Sequence, residues 1–299
     1  MASVVDRLCE RGLINPPGPV HSTQYEVMVG SVMYGVADDL SDVDINGFCI
    51  PAKSVVFPHL NGEILGFGRQ KKRFEQYQKH HINDKQARKT YDLTIYNIIK
   101  FFHLCMENNP NMLDCLFAPD TCIRKITKIG HMVRRQRRLF LHKGAWHRFK
   151  GYAYSQLHKA RGKNPEPGSK RALIRERYGW DCKFGYHVVR LIGEVEQILS
   201  EGNIDLQRNR EHLKAIRRGE ISQENVEKWF SDKEKSLEKM YEASTLRYSP
   251  DEHAIKQLLL DCLEEFYGSL ENCISEQEGG TKFYDEVAAL VHKHRPLHQ

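Results

Sequence analysis

In the first third of this 299-residue chain, apolar positions come in short runs or at alternate residues. The run "YEVMV", residues 25–29, is short, apolar-rich and β-prone, and it stops at Gly30. In "VDINGFCI", residues 43–50, Val43 and Ile45 share one face of a strand and Asp44 and Asn46 the other, before Pro51 ends it. "KKRFEQYQKHHI", residues 71–82, reads as a polar strand or hairpin arm. "KTYDLTIYNIIKFFHLCMEN" starts extended over residues 90–94. It then takes up a helical period with Ile95, Ile98, Ile99, Phe102 and Met106 as its apolar stripe. Asn108-Asn109-Pro110 breaks that helix, and "NMLDCLFAP" gives a short second one closed by Pro119.

Past residue 120 strand signals nearly vanish. Helical periodicity predicts helices over 123–141, 145–160, 181–201, 207–218, 222–244 and 251–274. "ARGKNPEPGSKR", residues 160–171, is a Pro/Gly-rich connector, and the chain has no internal repeat. The expected architecture is α+β: a small mixed-sheet unit over residues 1–120 and an all-helical unit over 121–299.

Composition adds class and compartment. With 40% hydrophobic and 28% charged residues the chain is an ordinary globular protein. No apolar run reaches the roughly eighteen residues of a membrane span. The first twenty residues lack the apolar core of a signal peptide, so the expected location is cytoplasmic. Eight cysteines without a C-x-x-C pair read as buried free thiols, and no H-x-x-x-H pair among the 15 histidines suggests zinc.

Charge changes the picture more. Residues 123–177 hold 17 Lys and Arg against two acids, a local +15 in a chain of net +6, leaving −9 elsewhere. Such asymmetry points to a polyanionic partner or a phosphate-holding site; a solvated helical face is the plainer alternative. Trp146, Phe149, Tyr152 and Tyr154 interleave with these cations, a mixture suited to an RNA end or single strand, although at helical spacing some of them must be core.

The chemistry gathers around "GSVMYGVADDLSDVDI". Two residues apart on a strand, Asp42 and Asp44 aim at one point, where like charges repel unless a cation lies between them. Carboxylate oxygens suit Mg²⁺, and two such ions can clamp an in-line phosphoryl displacement. A third acid is needed, and Asp92, extended just before a helix, fits. Gly30-Ser31 offers close backbone approach and a hydroxyl for a phosphate. A D-x-D pair or a Gly-Ser turn alone is ordinary surface or turn chemistry; the ordered combination is far more restrictive. Tyr34 could stack on a base or pack in the core. Ser41 could orient Asp42 or end a turn, and Lys100 and His103 read as exposed polar positions. In "DCKFGYHVVRLIGEVEQ", Lys183, His187 and Arg190 fall on one helix face and could neutralise phosphates opposite the acids. The alternative is a solvated face or an internal Arg190–Glu194 pair.

Gly30-Ser31 followed by Asp42, Asp44 and Asp92 resembles the signature of the nucleotidyltransferase superfamily typified by DNA polymerase β. "GSVMYGVADDLSDVDINGFCIP", "YDLTIYNIIKFFHLCMENNPNMLDCLFAP" and "KFGYHVVRLIGEVEQILSEGNID" are similar to its YcgL/RlaP-type branch, across roughly residues 25–220. The resemblance implies transfer of a nucleoside monophosphate from an NTP to an acceptor hydroxyl, with Mg²⁺ or Mn²⁺ and release of pyrophosphate. It implies that Asp42 and Asp44 hold both ions, that Asp92 binds the catalytic ion and helps deprotonate the acceptor, and that Gly30 and Ser31 contact the triphosphate. The basic segment does not map onto the family position by position, so its expected RNA contact rests on charge alone. The acceptor could be RNA (a tRNA end or a repair intermediate), a protein side chain or a small molecule. An idle RNA-binding protein is a further alternative, against which stands the presence of all three acids.

Overall fold

A strand that carries acids on one face and Ile on the other needs a core beneath it and leaves room for chemistry above it. The computed structural model, which describes residues 3–37, 42–161 and 165–273, builds this arrangement. Helix α1 (Val4–Glu10) precedes β1 (Thr23–Val29) and β2 (Val43–Cys49); short α2 (Lys53–Val56) leads by a long loop to β3 (Gln76–Asp84) and β4 (Lys89–Asn97). Then follow α3 (Ile98–Met106), α4 (Pro110–Phe117), β5 (Ile123–Ile126), α5 (Lys128–Arg135), α6 (Ala145–Arg161), α7 (Lys170–Tyr178), α8 (Cys182–Glu201), α9 (Arg210–Arg217), α10 (Gln223–Ala243) and α11 (Glu252–Tyr267).

The five strands form one sheet in the order β3-β4-β2-β1-β5, with β2 and β4 parallel and the other neighbours antiparallel. Period-two alternation divides its side chains as the sequence predicts. Ile45, Cys49, Tyr91, Leu93 and Ile95 face α1 and pack with Val4, Val5 and Leu8. The opposite face carries Asp44, Asn46 and Phe48 on β2 with Asp92, Thr94 and Tyr96 on β4. There Phe48 meets Phe101, and Asn46 reaches Cys115 of α4. The helical half continues this second core through Trp146, Phe149, Val188, Ile192 and Leu258 without a break. Fully burying a side chain of this size contributes about 1.5–3 kcal/mol.

Two predicted elements differ. β4 runs on through Asn97, whose side chain accepts the Ile99 N–H (3.0 Å) and caps α3. The cap resets the helical phase, so Ile95 belongs to the strand and Ile99 is exposed, while Ile98, Phe101, Phe102 and Cys105 form the buried stripe. The helix expected over 123–141 begins instead as a strand. Ile123 to Ile126 pairs with the open edge of β1, and α5 starts only after Thr127, so the sheet extends past residue 120. Within the expected connector, Ser169 caps α7, a helix the proline and glycine content concealed. All eight cysteines are free, and seven are buried. Among the described residues no helix is long and apolar enough to cross a membrane.

Candidate active site

Strand pairing assembles the acid corner. Val29 lies opposite Asp44 across β1 and β2, and Asp44 lies beside Asp92 across β2 and β4. Chain direction turns at Gly30, which has a φ of 73°. A Cβ there would collide with the Asp44 carboxylate, so two independent constraints require glycine. Burial, then the charges of Asp92 and Asp42, push the Asp44 carboxyl up to about 6; Lys183 and His80 act in the other direction. Asp42 sits one residue before β2 and is exposed. Ser31 lies in the short turn Gly30–Val32, its carbonyl accepting the Val36 N–H (3.0 Å). Ser41 lies outside the described residues.

Asp92 is held from the neighbouring edge strand. A bulge between Lys79 and Ile82, with His81 at a φ of 54°, lets the His81 N–H donate to Asp92 Oδ1 (2.7 Å). His80 Nδ1 stands 3.3 Å from Asp92 Oδ2. Oxygen donors crowded with like charge match a hard divalent cation in kind. Among the described residues, however, no three His, Cys, Asp or Glu side chains form a group that could hold an ion as they stand. Asp44 and Asp92 therefore fit such an ion by donor type and charge, not as a closed ligand set.

The expected cationic line on α8 divides into three different residues. Lys183 is exposed, and its charge acts on Asp44. His187 is no cation: burial, then the charges of Arg190, Lys183, Arg171 and Arg217, hold its pKa well below 6.5. Arg190 is buried and does not face an open site. Its Nη1 donates to Asp114 Oδ2 (2.6 Å), Tyr34 Oη (2.8 Å) and Glu194 Oε1 (3.0 Å), and Tyr34 Oη donates to the same Asp114 oxygen (2.6 Å). Of the two readings of Arg190, the internal pair with Glu194 is the one observed; a low-dielectric interior favours a charge that has such partners. Tyr34 is core, and the cluster joins α4 and α8 to the turn that follows Gly30.

Beside Lys183 opens a cavity of about 500 Å³, walled by Val36, Leu173, Tyr178, Lys183, Lys214 and Arg217 together with Arg177 and Arg218. Arg217 also donates to the Val36 carbonyl (2.7 Å), tying α9 to the segment that leaves the Gly-Ser turn. Apolar and cationic walls in a space of this size suit a nucleotide-sized anion.

Residues 19–261 match the RlaP family, described as the RNA repair pathway DNA polymerase beta family. The chain belongs to this family. Its membership supports nucleotidyl transfer, on an α+β nucleotidyltransferase domain followed by a helical part. A nucleotidyltransferase-like protein from Exiguobacterium sibiricum 255-15 is a structural match at 14% identity, over 98% of this chain and 80% of that one, with a TM-score of 0.28. At that score the likeness has no bearing on the site. No curated protein matches the chain.

In this RlaP-family chain, much of the basic segment is engaged internally. Lys125 pairs with Asp6 (3.2 Å), Lys128 with Glu265 (2.7 Å), Arg134 with Asp120 (3.1 Å), Arg148 with Glu107 (2.9 Å), and Lys150 with Glu234 (2.8 Å) and Glu238 (3.1 Å). Trp146 and Phe149 are fully buried, and Tyr154 donates to Glu234 (2.9 Å). Trp146 and Phe149 are thus the core members that helical spacing called for, while Tyr154, 45% exposed, stays at the surface in a polar seam with α10. Sequence reasoning missed His80 and His81, whose doublet lay in a strand dismissed as polar. It also missed Lys214, Arg217 and Arg218, which ordinary amphipathic spacing on α9 hid.

Proposed function

We propose that the chain transfers a nucleoside monophosphate from an NTP to a hydroxyl of RNA, releasing pyrophosphate, with Mg²⁺ or Mn²⁺. The observation that carries this reading is Asp44, pressed against Gly30 and beside Asp92, with its carboxyl pushed up to about 6. Asp42, Asp44 and Asp92 would hold the ions. When bound, divalent cations neutralise the phosphates and lower the acceptor hydroxyl's pKa. Gly30 would meet the triphosphate through its backbone, since Asp44 fills the space beside its Cα, and Ser31 would offer its hydroxyl. Lys183, between cavity and acids, neutralises charge that passes from one to the other. Leu173, Ile174 and Tyr178 give the base an apolar wall, and Arg177, Lys214, Arg217 and Arg218 surround it with positive charge. The neutral His187 contributes a hydrogen bond, not charge. Arg190 is a positioning residue that fixes α8 against the turn through Tyr34. His81 holds Asp92 through one oxygen, which orients that carboxylate toward an incoming hydroxyl's proton. On this reading the acids belong to the sheet unit, and the cavity walls to the helical unit except for Val36 and Ala37 of the segment that leaves the Gly-Ser turn.

The test supplies labelled NTP, Mg²⁺ or Mn²⁺, and bulk RNA. Labelled RNA and pyrophosphate are expected, and Asp44→Asn should abolish both while its melting curve stays cooperative. Label appearing in protein would replace the RNA acceptor with a side chain. No transfer to RNA, protein or small hydroxyl compounds under either metal would overturn the reading.

A further inference from the structure

Strand β3 forms one margin of the sheet, and its outward row leads to an acid. Gln76 pairs with Tyr96 and Gln78 with Thr94, on the face that carries Asp92. Gln76 Nε2 donates to Gln78 Oε1 (3.5 Å), Gln78 Nε2 meets His80 Nε2 (2.7 Å), and His80 Nδ1 stands 3.3 Å from Asp92. A line of polar contacts thus runs along the exposed edge and ends at the candidate catalytic carboxylate.

Among the described residues, the loop before this strand carries the largest group of exposed apolar side chains. Ile64, Leu65 and Phe67 are 64%, 65% and 78% exposed, and Phe67 lies between two glycines at positive φ. Arg69, Lys71 and Lys72 follow, all exposed. Between residues 69 and 81 the chain carries Arg69, Lys71, Lys72, Arg73, Lys79, His80 and His81 against one acid, Glu75. That acid lies 3.7 Å from Lys100, and the loop's other acid, Glu63, lies 3.2 Å from Arg73. An exposed aromatic beside several cations stacks a base while the cations meet the backbone phosphates. The edge-strand amides and histidines then offer hydrogen bonds without further negative charge.

We infer that β3 and the loop before it form the track for the single-stranded end of the RNA acceptor, leading its terminal hydroxyl to Asp92. This rests on the nucleotidyl-transfer reading above. It assigns the acceptor to the sheet's edge and the nucleotide to the cavity under α7, α8 and α9, so the two substrates approach the acids from different sides. It also accounts for an apolar loop tip left in solvent, which the segment over residues 123–150 does not resemble.

The experiment measures binding of a labelled single-stranded oligoribonucleotide by anisotropy, with the full chain and two variants. Charge reversal (Arg69→Glu, Lys71→Glu and Lys72→Glu together) should weaken binding about tenfold or more and flatten its salt dependence. Phe67→Ala should weaken it about 5- to 100-fold. All four positions are exposed, so circular dichroism and melting temperature should be unchanged. The rise in melting temperature from NTP with divalent cation should also persist in both variants. RNA affinity within twofold of the parent in both variants overturns the track, and so does binding to anionic vesicles in place of RNA. Transfer to RNA that survives in both variants removes the track and leaves the chemistry. Binding lost in both variants, with no transfer by the parent, removes the chemistry and with it the track's role in delivering a hydroxyl.

Discussion

The first end of the basic segment and the cations around the cavity, from Arg177 to Arg218, carry similar charge and use it differently. From Lys125 to Lys150, cations point into partners brought from far along the chain: Asp6, Asp120, Glu107, Glu234, Glu238 and Glu265. From α7 onward, Arg177 joins Lys183, Lys214, Arg217 and Arg218 around a cavity, and Lys183 on its wall also acts on Asp44. The first end holds helices to one another. The second group lines a space while Lys214 pairs with Glu211 (3.1 Å), Arg218 with Glu220 and Arg217 with the Val36 carbonyl (2.7 Å). Local charge density is the same observable in both; acids distant in sequence meet the first group, and acids two or three residues away meet Lys214 and Arg218 in the second.

The largest effect should come from a cation of α8 that belongs to neither group. Arg190→Met leaves Asp114 and Glu194 buried without their counter-charge, and burial already raises the pKa of both. Removing one partner of a buried pair costs about 3–5 kcal/mol. Chemical denaturation should show that loss. A loss below about 1 kcal/mol would mean that the cluster does not join the sheet to the helices.

Lys183→Ala comes next and tests the cavity group directly. A charge-assisted contact to phosphate contributes about 1.5–3 kcal/mol, so NTP affinity should fall at least tenfold by calorimetry. An unchanged affinity would make the cavity wall as idle toward ligand as the first end of the segment.

Asp44→Asn sharpens the contrast from the acid side. With its folded pKa raised from 3.8 to about 6, Asp44 binds its proton more tightly in the folded state. The metal-free protein therefore loses stability as pH rises from 3.8 to about 6, and the full cost remains above that. Asparagine removes the cost. In chelator at neutral pH the variant should be more stable than the parent by about 1–2 kcal/mol, allowing for solvent screening. The gap should close as pH falls toward 4, roughly the ordinary carboxylate value. A variant less stable than the parent at neutral pH would sink the account of a strained carboxylate.

Much of the acid corner was legible because strands have a period of two. Asp44 and Asn46 had to share a face opposite Ile45, and the Gly30 turn had to come close once β1 and β2 paired. Three features were not legible, each for a non-local reason. Asn97 reads as a polar residue within a helical period, and its role as a cap depends on where β4 ends. Ile123 to Ile126 places its two apolar residues three apart, a helical spacing, and pairs with β1 through an irregular register, so only the open edge of β1 identifies it as a strand. Arg190 carries the same charge as Lys183, and whether it serves a ligand or the core is decided by Asp114, which lies 76 residues earlier in the chain.

The smallest expected effect isolates the first end of the segment. Arg148→Ala and Lys150→Ala remove cations that sit on exposed or half-exposed acids, a class of pair that contributes less than about 1 kcal/mol. Loss of Lys150 also frees Glu234 and Glu238 beside Tyr154, so the local field turns negative and the double variant should bind RNA no better than the parent. Binding and NTP affinity within twofold of the parent, with a slightly lower melting temperature, is the expected result by anisotropy and thermal melting. A tenfold loss of RNA affinity here, with the Arg69, Lys71 and Lys72 reversal silent, would invert the comparison. The acceptor would then lie along α6, and the internal ion pairs would have to open to receive it.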